Sequence, residues 1–183
     1  MKKTVLRYGS YALITIVLFF IGTWIIFRDH DPNDFKIQEI LGYSGIFLAT
    51  IFAFFGIKYY RDHVNGGRLS FGEGLKTGFL IILFPALGFG LLDVLYVTAI
   101  DPGFYDNYYN QQVTQLRASL PANEFAVKQK EIEEQKALFQ NPLVSFLLMF
   151  ITVLAVGLIV SIISALILKS KTHRTGNLRT GTA

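Results

Sequence analysis

Apolar and polar positions fall in long blocks along this chain. Gly9–Phe27, Ile40–Ile57 and Asn141–Leu168 contain no Asp, Glu, Lys or Arg, and Thr77–Ile100 contains one, Asp93. An α-helix rises 1.5 Å per residue, so about 20 mostly apolar residues cross the hydrocarbon of a bilayer. The blocks predict four transmembrane helices, at about 8–27, 38–60, 74–100 and 142–168. Lys2, Lys3 and Arg7 give the first block the charged front of a secretory signal. A signal's apolar core is only about 7–15 residues long and ends in small residues. This one is longer and ends Thr23-Trp24-Ile25-Ile26-Phe27-Arg28, so it is expected to remain as the first helix.

Residues 101–141 are too long for a bare connection. Tyr105, Tyr109, Val113, Leu116 and Leu120 recur every three or four positions, which is one face of a helix. Pro121 interrupts, and a second helical stretch runs to about Gln140 before Asn141-Pro142 admits the last helix. The expectation is an outer helical hairpin with its tyrosines against lipid headgroups. Asn65-Gly66-Gly67 reads as a turn, and Ser70 with Glu73 forms the capping box that satisfies free N–H groups at a helix start. Pro85, inside the third helix, removes a backbone hydrogen bond and is expected to kink it. The predicted fold is all-α: an integral membrane four-helix bundle with an extracytoplasmic helical hairpin between helices three and four. Residues 172–183 are expected to form a disordered cytoplasmic tail.

In lipid, helices associate by close van der Waals contact, and small residues mark the contact faces. Gly45, Ala49 and Ala53 form such a stripe on helix two, and Gly157, Ser161 and Ala165 on helix four. Helix three has Gly74 and Gly78, then Ala86 and Gly90. A stripe fits a neighbour in the same chain or in a second copy; the former is the expectation.

Charge orients the bundle. Eleven Lys and Arg residues fall on the side of the termini and the second loop, against six on the side of the first and third loops. By the positive-inside rule both termini are cytoplasmic, in a bacterial inner membrane. Tyr8, Tyr11, Tyr59 and Tyr60 then lie at the inner interface, and Trp24, Tyr43 and Tyr96 at the outer one. The net charge of +4 follows from this arrangement. No basic face interleaved with aromatics is present, so nucleic acid is not an expected partner. The chain has no cysteine, which excludes disulfides, thiolate metal sites and a cysteine nucleophile.

Three segments carry a family likeness: Gly67-Arg68-Leu69-Ser70-Phe71-Gly72 with Lys76 and Gly78, Lys136-Ala137-Leu138-Phe139-Gln140-Asn141-Pro142, and Val156 to Leu168. With the four-helix layout they resemble the domain-of-unknown-function 4199 family of small Bacteroidetes inner-membrane proteins. The resemblance implies a small bacterial inner-membrane protein and no activity, cofactor or site residue.

Few residues carry chemistry. Asp93 is the sharpest, because a carboxylate at the bilayer centre costs roughly 2.5–3.5 kcal/mol on insertion scales and often marks an ion or proton path. It stands close before Pro102-Gly103, where an interfacial position or a hydrogen bond from Tyr96 or Thr98 fits as well. Asp29-His30-Asp31-Pro32-Asn33-Asp34 gathers oxygen ligands but has Asp34 and Ile40 where a calcium loop needs Gly and Glu. His63 stands beside Asp62, with Glu73 nearby, but no nucleophile or glycine nest accompanies it. No cofactor or metal is expected, and no enzyme. The expected role is a non-enzymatic structural or accessory membrane component, in contact with the bilayer and with itself or another membrane protein. The alternative is a small transporter or channel that uses Asp93 and the Pro85 kink.

Overall fold

In a computed structural model, which describes residues 1–27 and 35–170, the chain forms six α-helices and no strand among those residues. They are α1 (Lys2–Phe27), α2 (Phe35–Tyr59), α3 (Phe71–Leu95), α4 (Phe104–Ser119), α5 (Ala122–Phe139) and α6 (Pro142–Leu168). Single π-helical turns extend α2 over Tyr60–Val64 and α3 over Tyr96–Ile100. Four helical segments, Lys2–Phe27, Lys36–Val64, Phe71–Ile100 and Pro142–Leu168, are long and apolar enough to cross a membrane. The protein is an all-α membrane bundle of these four, with α4 and α5 as a hairpin at one end.

Local chemistry sets the helix ends. The turn before α3 holds Gly66 and Gly67 at φ 61° and 77°, where L side chains are strained. Ser70 then accepts from the Glu73 N–H at 3.3 Å, and the Glu73 carboxylate accepts from the Ser70 N–H at 2.9 Å. This is the capping box read from the sequence. At α6 the Asn141 side chain accepts from the Leu143 N–H at 3.0 Å, with Pro142 in the first turn, where no amide hydrogen is needed.

In the bundle α2 and α3 stand in the middle; α1 packs on both from one side and α6 from the other. The most extensive interface joins α3 and α6. Both chain-terminal helices have their free ends together: Met1 packs on the cluster of Ile57, Tyr60, Leu69 and Leu168. The Ser170 N–H donates to the Leu69 carbonyl at 2.9 Å, and the Leu69 N–H donates to Ser170 Oγ at 2.9 Å. This terminal end lies opposite the hairpin end.

Apolar side chains cover the bundle's outside as well as its inside. Leu18, Leu91 and Ile167 are 63%, 63% and 67% exposed, with similar neighbours all round. A water-soluble monomer rarely shows contiguous apolar surface beyond a few hundred Å². Lipid is the solvent that removes this cost.

The hairpin differs from its sequence reading in one respect. The face of Tyr105, Tyr109, Val113 and Leu116 does not lie open to headgroups; it packs against Ile132 and Phe139 of α5 and Val97 of the α3 extension. Tyr105 and Tyr109 are only 9% and 4% exposed. Lys136 pairs with Asp106 at 2.7 Å, and Gln140 donates to the same carboxylate at 3.2 Å, which pins α5 to α4.

Candidate functional site

Small residues of α3 and α6 let the two backbones close along their whole length. A Cβ placed on Gly74 would stand 3.0 Å from Ala165 Cβ, and one on Gly78 would stand 2.6 Å from Ser161 Oγ. A Cβ on Gly157 would overlap Ile82, and one on Gly90 would meet the Phe146 ring at 2.8 Å. Thus Gly157, Ser161 and Ala165 each face α3 within this chain. Gly45, Ala49 and Ala53 of α2 are buried as well, and Gly45 is covered by the Phe19 ring of α1.

The hydroxyls inside this interface are turned back on their own helices. Ser161 donates to the Gly157 carbonyl at 2.7 Å and Ser164 to Val160 at 2.6 Å. Thr77 donates to Glu73 at 2.7 Å and Thr50 to Phe47 at 2.9 Å. Among the described residues no buried side-chain nitrogen or oxygen lacks a partner.

One polar group breaks this pattern. Asp93, near the hairpin end of α3, accepts a hydrogen bond at Oδ2 from Ser145 in the first turn of α6. Tyr105, in the first turn of α4, puts its hydroxyl 2.7 Å from Ser145 Oγ and 3.5 Å from the same carboxylate oxygen. Ser145 is fully buried. One carboxylate and two hydroxyls therefore tie α3, α4 and α6 at a single point. Beside it lies a cavity of about 70 Å³, lined by Val97, Thr98, Tyr105, Phe139, Gln140 and Pro142 among others. The space is large enough to hold a few waters.

The partners differ from those expected. Thr98 donates to the Val94 carbonyl at 2.6 Å instead of to Asp93. The Tyr96 ring stands edge-on to Phe20 and Phe104, at 5.7 and 5.5 Å. Nothing in the sequence marks Ser145 or Tyr105, which stand 52 and 12 residues from Asp93. The only signal is that Tyr105 begins the apolar face of α4.

Burial raises the Tyr105 phenol to about 12, with the Asp93 carboxylate adding to that rise against a lowering by Ser145. Burial likewise takes Tyr109 to about 12, helped by Tyr108. The cluster can hold a proton and align three helices. Among the described residues no imidazole stands beside its serine.

Pro85 is fully buried in the middle of α3, which continues through it from Phe71 to Leu95. Eight residues of helix place it about 12 Å from Asp93 along the axis, and it does not line the cavity. His63, Asp62 and Glu73 are not brought into one site either. His63 stacks on Tyr59 at 4.5 Å, Asp62 pairs with Arg61 at 2.6 Å, and Glu73 is occupied in the capping box. The Asp29–Asp34 cluster and the 172–183 tail lie outside the described residues.

A family model described as "Protein of unknown function (DUF4199)" matches residues 7–170. No curated protein and no solved structure matches the chain.

Proposed function

Because the chain belongs to the DUF4199 family, which carries no assigned activity, we propose its role from the bundle itself: a non-enzymatic structural or accessory component of the bacterial inner membrane, with both termini cytoplasmic. The observation that carries this reading is the filling of the core. Ile16, Ile57, Ile81, Ile82 and Val153 are fully or almost fully buried along its length. Thr50, Thr77 and Ser161 in the core bond to their own helices, and the cavity beside Asp93 lies at the hairpin end. A transport pathway needs polar groups lining a route from side to side. Here Asp93 sits at one end, tied to two hydroxyls, and supports a joint between helices. The stretches of exposed Leu and Ile on all four spanning helices supply surface for lipid and for a neighbouring membrane protein.

Two measurements test the proposal. Photocrosslinking from Leu18, Leu91 and Ile167 in native membranes should recover the same protein neighbour, or a second copy, repeatedly. Proteoliposomes containing the purified chain should pass protons and small cations no faster than empty vesicles. A flux that Asp93→Asn abolishes would replace the accessory role with transport.

A further inference from the structure

Arg7 is held in place without being neutralised. It lies on α1 one turn after Lys3 and one turn before Tyr11. Its Nε donates to the Tyr11 hydroxyl at 3.2 Å. Its Cζ stands 5.8 Å from the Tyr11 ring centroid and 5.6 Å from that of Tyr59 on α2. Tyr8 closes the cradle, with its ring 5.9 Å from Tyr11 and 5.7 Å from Tyr59. Among the described residues no carboxylate forms an ion pair with Arg7. Three cations of the chain are matched by carboxylates, Arg61 by Asp62 at 2.6 Å, Lys128 by Glu131 at 2.6 Å and Lys136 by Asp106 at 2.7 Å; Arg7 is instead held by aromatic rings.

Fixing a long arginine side chain forfeits rotamer entropy. Ring faces attract the cation and leave its net charge intact. With Nε committed to Tyr11, the Nη1 and Nη2 donors form a planar fork, whose geometry fits two oxygens of a phosphate or carboxylate. The surroundings narrow the choice. One turn deeper stand the exposed Tyr11 and Phe55 rings, 42% and 48% exposed, and about a turn below them Phe52, 6.1 Å from Tyr11 and 6.5 Å from Phe55. An anion with hydrocarbon attached directly below it matches this file of cation and rings. Lys3 and Lys58 are exposed close by in sequence, and His63 stacks on the Tyr59 ring.

We infer that Arg7, in its cradle of Tyr8, Tyr11 and Tyr59, binds the phosphodiester headgroup of an anionic membrane phospholipid, with an acyl chain along Tyr11, Phe52 and Phe55. The site requires the membrane setting of α1 and α2 and is independent of the proposed accessory role.

Native mass spectrometry of the full chain in nonionic detergent reads the occupancy directly. The probes are phosphatidylglycerol, phosphatidylcholine with the same acyl chains, and inorganic phosphate. Wild type should retain one phosphatidylglycerol in preference to phosphatidylcholine. Arg7→Gln should lower that retention about tenfold, and Tyr11→Phe, which keeps the ring but removes the acceptor for Nε, about threefold. Arg117→Gln on the hairpin should leave it unchanged. Tyr59→Leu keeps the charge and removes one wall of the cradle; it too should weaken retention, and it stands in should Arg7→Gln fail to fold. Equal retention by Arg7→Gln or Tyr59→Leu and wild type, or equal retention of the two lipids, overturns the site. Arg7-dependent capture of inorganic phosphate without phosphatidylglycerol overturns the lipid as its ligand.

Discussion

Ser145 on α6 donates its hydroxyl hydrogen to Asp93 on α3, across 52 residues of chain. The same oxygen lies 2.7 Å from the Tyr105 hydroxyl of α4, so one serine links the carboxylate to the hairpin. Removing it unties both. Ser145→Ala should destabilise the bundle by about 1–2 kcal/mol, the net value of a buried hydrogen bond with a polar partner left behind. Asp93→Asn keeps an acceptor oxygen and should cost less. Asp93→Leu removes the shared acceptor, leaves the two hydroxyls only each other, and should cost more. Unfolding midpoints in detergent give the order, and three equal midpoints would remove the cluster from the stability of the fold.

Glycines in this chain divide into two kinds. Gly78 and Gly157 leave no room for a side chain, whereas a Cβ on Gly22 or Gly42 meets nothing within 4 Å. Gly78→Leu and Gly157→Leu should each force α3 and α6 apart at a cost of at least about 1–3 kcal/mol. Gly22→Leu and Gly42→Leu should fall within about 0.5 kcal/mol of wild type or gain slightly from helix propensity. Thermal unfolding separates the two pairs; similar losses in all four would contradict the packing described.

Tyrosine titration should be delayed at the hairpin. Tyr105 and Tyr109 are lifted by burial from an ordinary value of 10 to about 12. A raised folded value favours the protonated phenol in the folded state. The associated stability is complete below pH 10 and is lost as the pH climbs from 10 towards about 12. Tyrosinate absorbance should therefore show late-titrating groups that vanish in Tyr105→Phe/Tyr109→Phe, with the hairpin loosening in the same window. Normal titration of every tyrosine near 10 would contradict the buried cluster.

The terminal ends of α1 and α6 should share one side of the membrane. With no native cysteine, single substitutions can be labelled cleanly. An impermeant maleimide should reach Lys3→Cys and Ser170→Cys from the same face, and Gln129→Cys on α5 from the other. Labelling of Lys3→Cys and Ser170→Cys from opposite faces would break the Leu69–Ser170 pairing and the bundle with it.

Much of this architecture can be read in the chain. Uninterrupted apolar blocks of bilayer length fix four spanning helices, because no other element satisfies so many backbone groups in lipid. The Ser70–Glu73 cap is legible for a different reason: all its atoms lie within one turn. Long-range pairing is where reading ends. The spacing from Tyr105 to Leu116 shows that α4 has an apolar face, yet lipid headgroups and a partner helix satisfy that spacing equally, and the partner is α5. Asp93 stands out as a lone charge, but its contact with Ser145 depends on how α3 and α6 register. That register is set by glycine contacts along the whole seam, from Gly90 on Phe146 to Gly74 on Ala165. The π-helical turns at Tyr60–Val64 and Tyr96–Ile100 have no local residue signature at all.

The glycine-lined seam of α3 has a consequence for biogenesis. Its complement, α6, is translated only after the forty-odd residues of the hairpin, on the order of seconds later at about 5–20 residues per second. During that interval the nascent protein holds an open notch at Gly74, Gly78 and Gly90 that lipid tails fill poorly. Insertion is complete only when the last segment arrives, so a ribosome stalled before Pro142 should leave a fragment that membrane quality-control proteases clear quickly, and a long half-life for that fragment would show that the first three helices are self-sufficient.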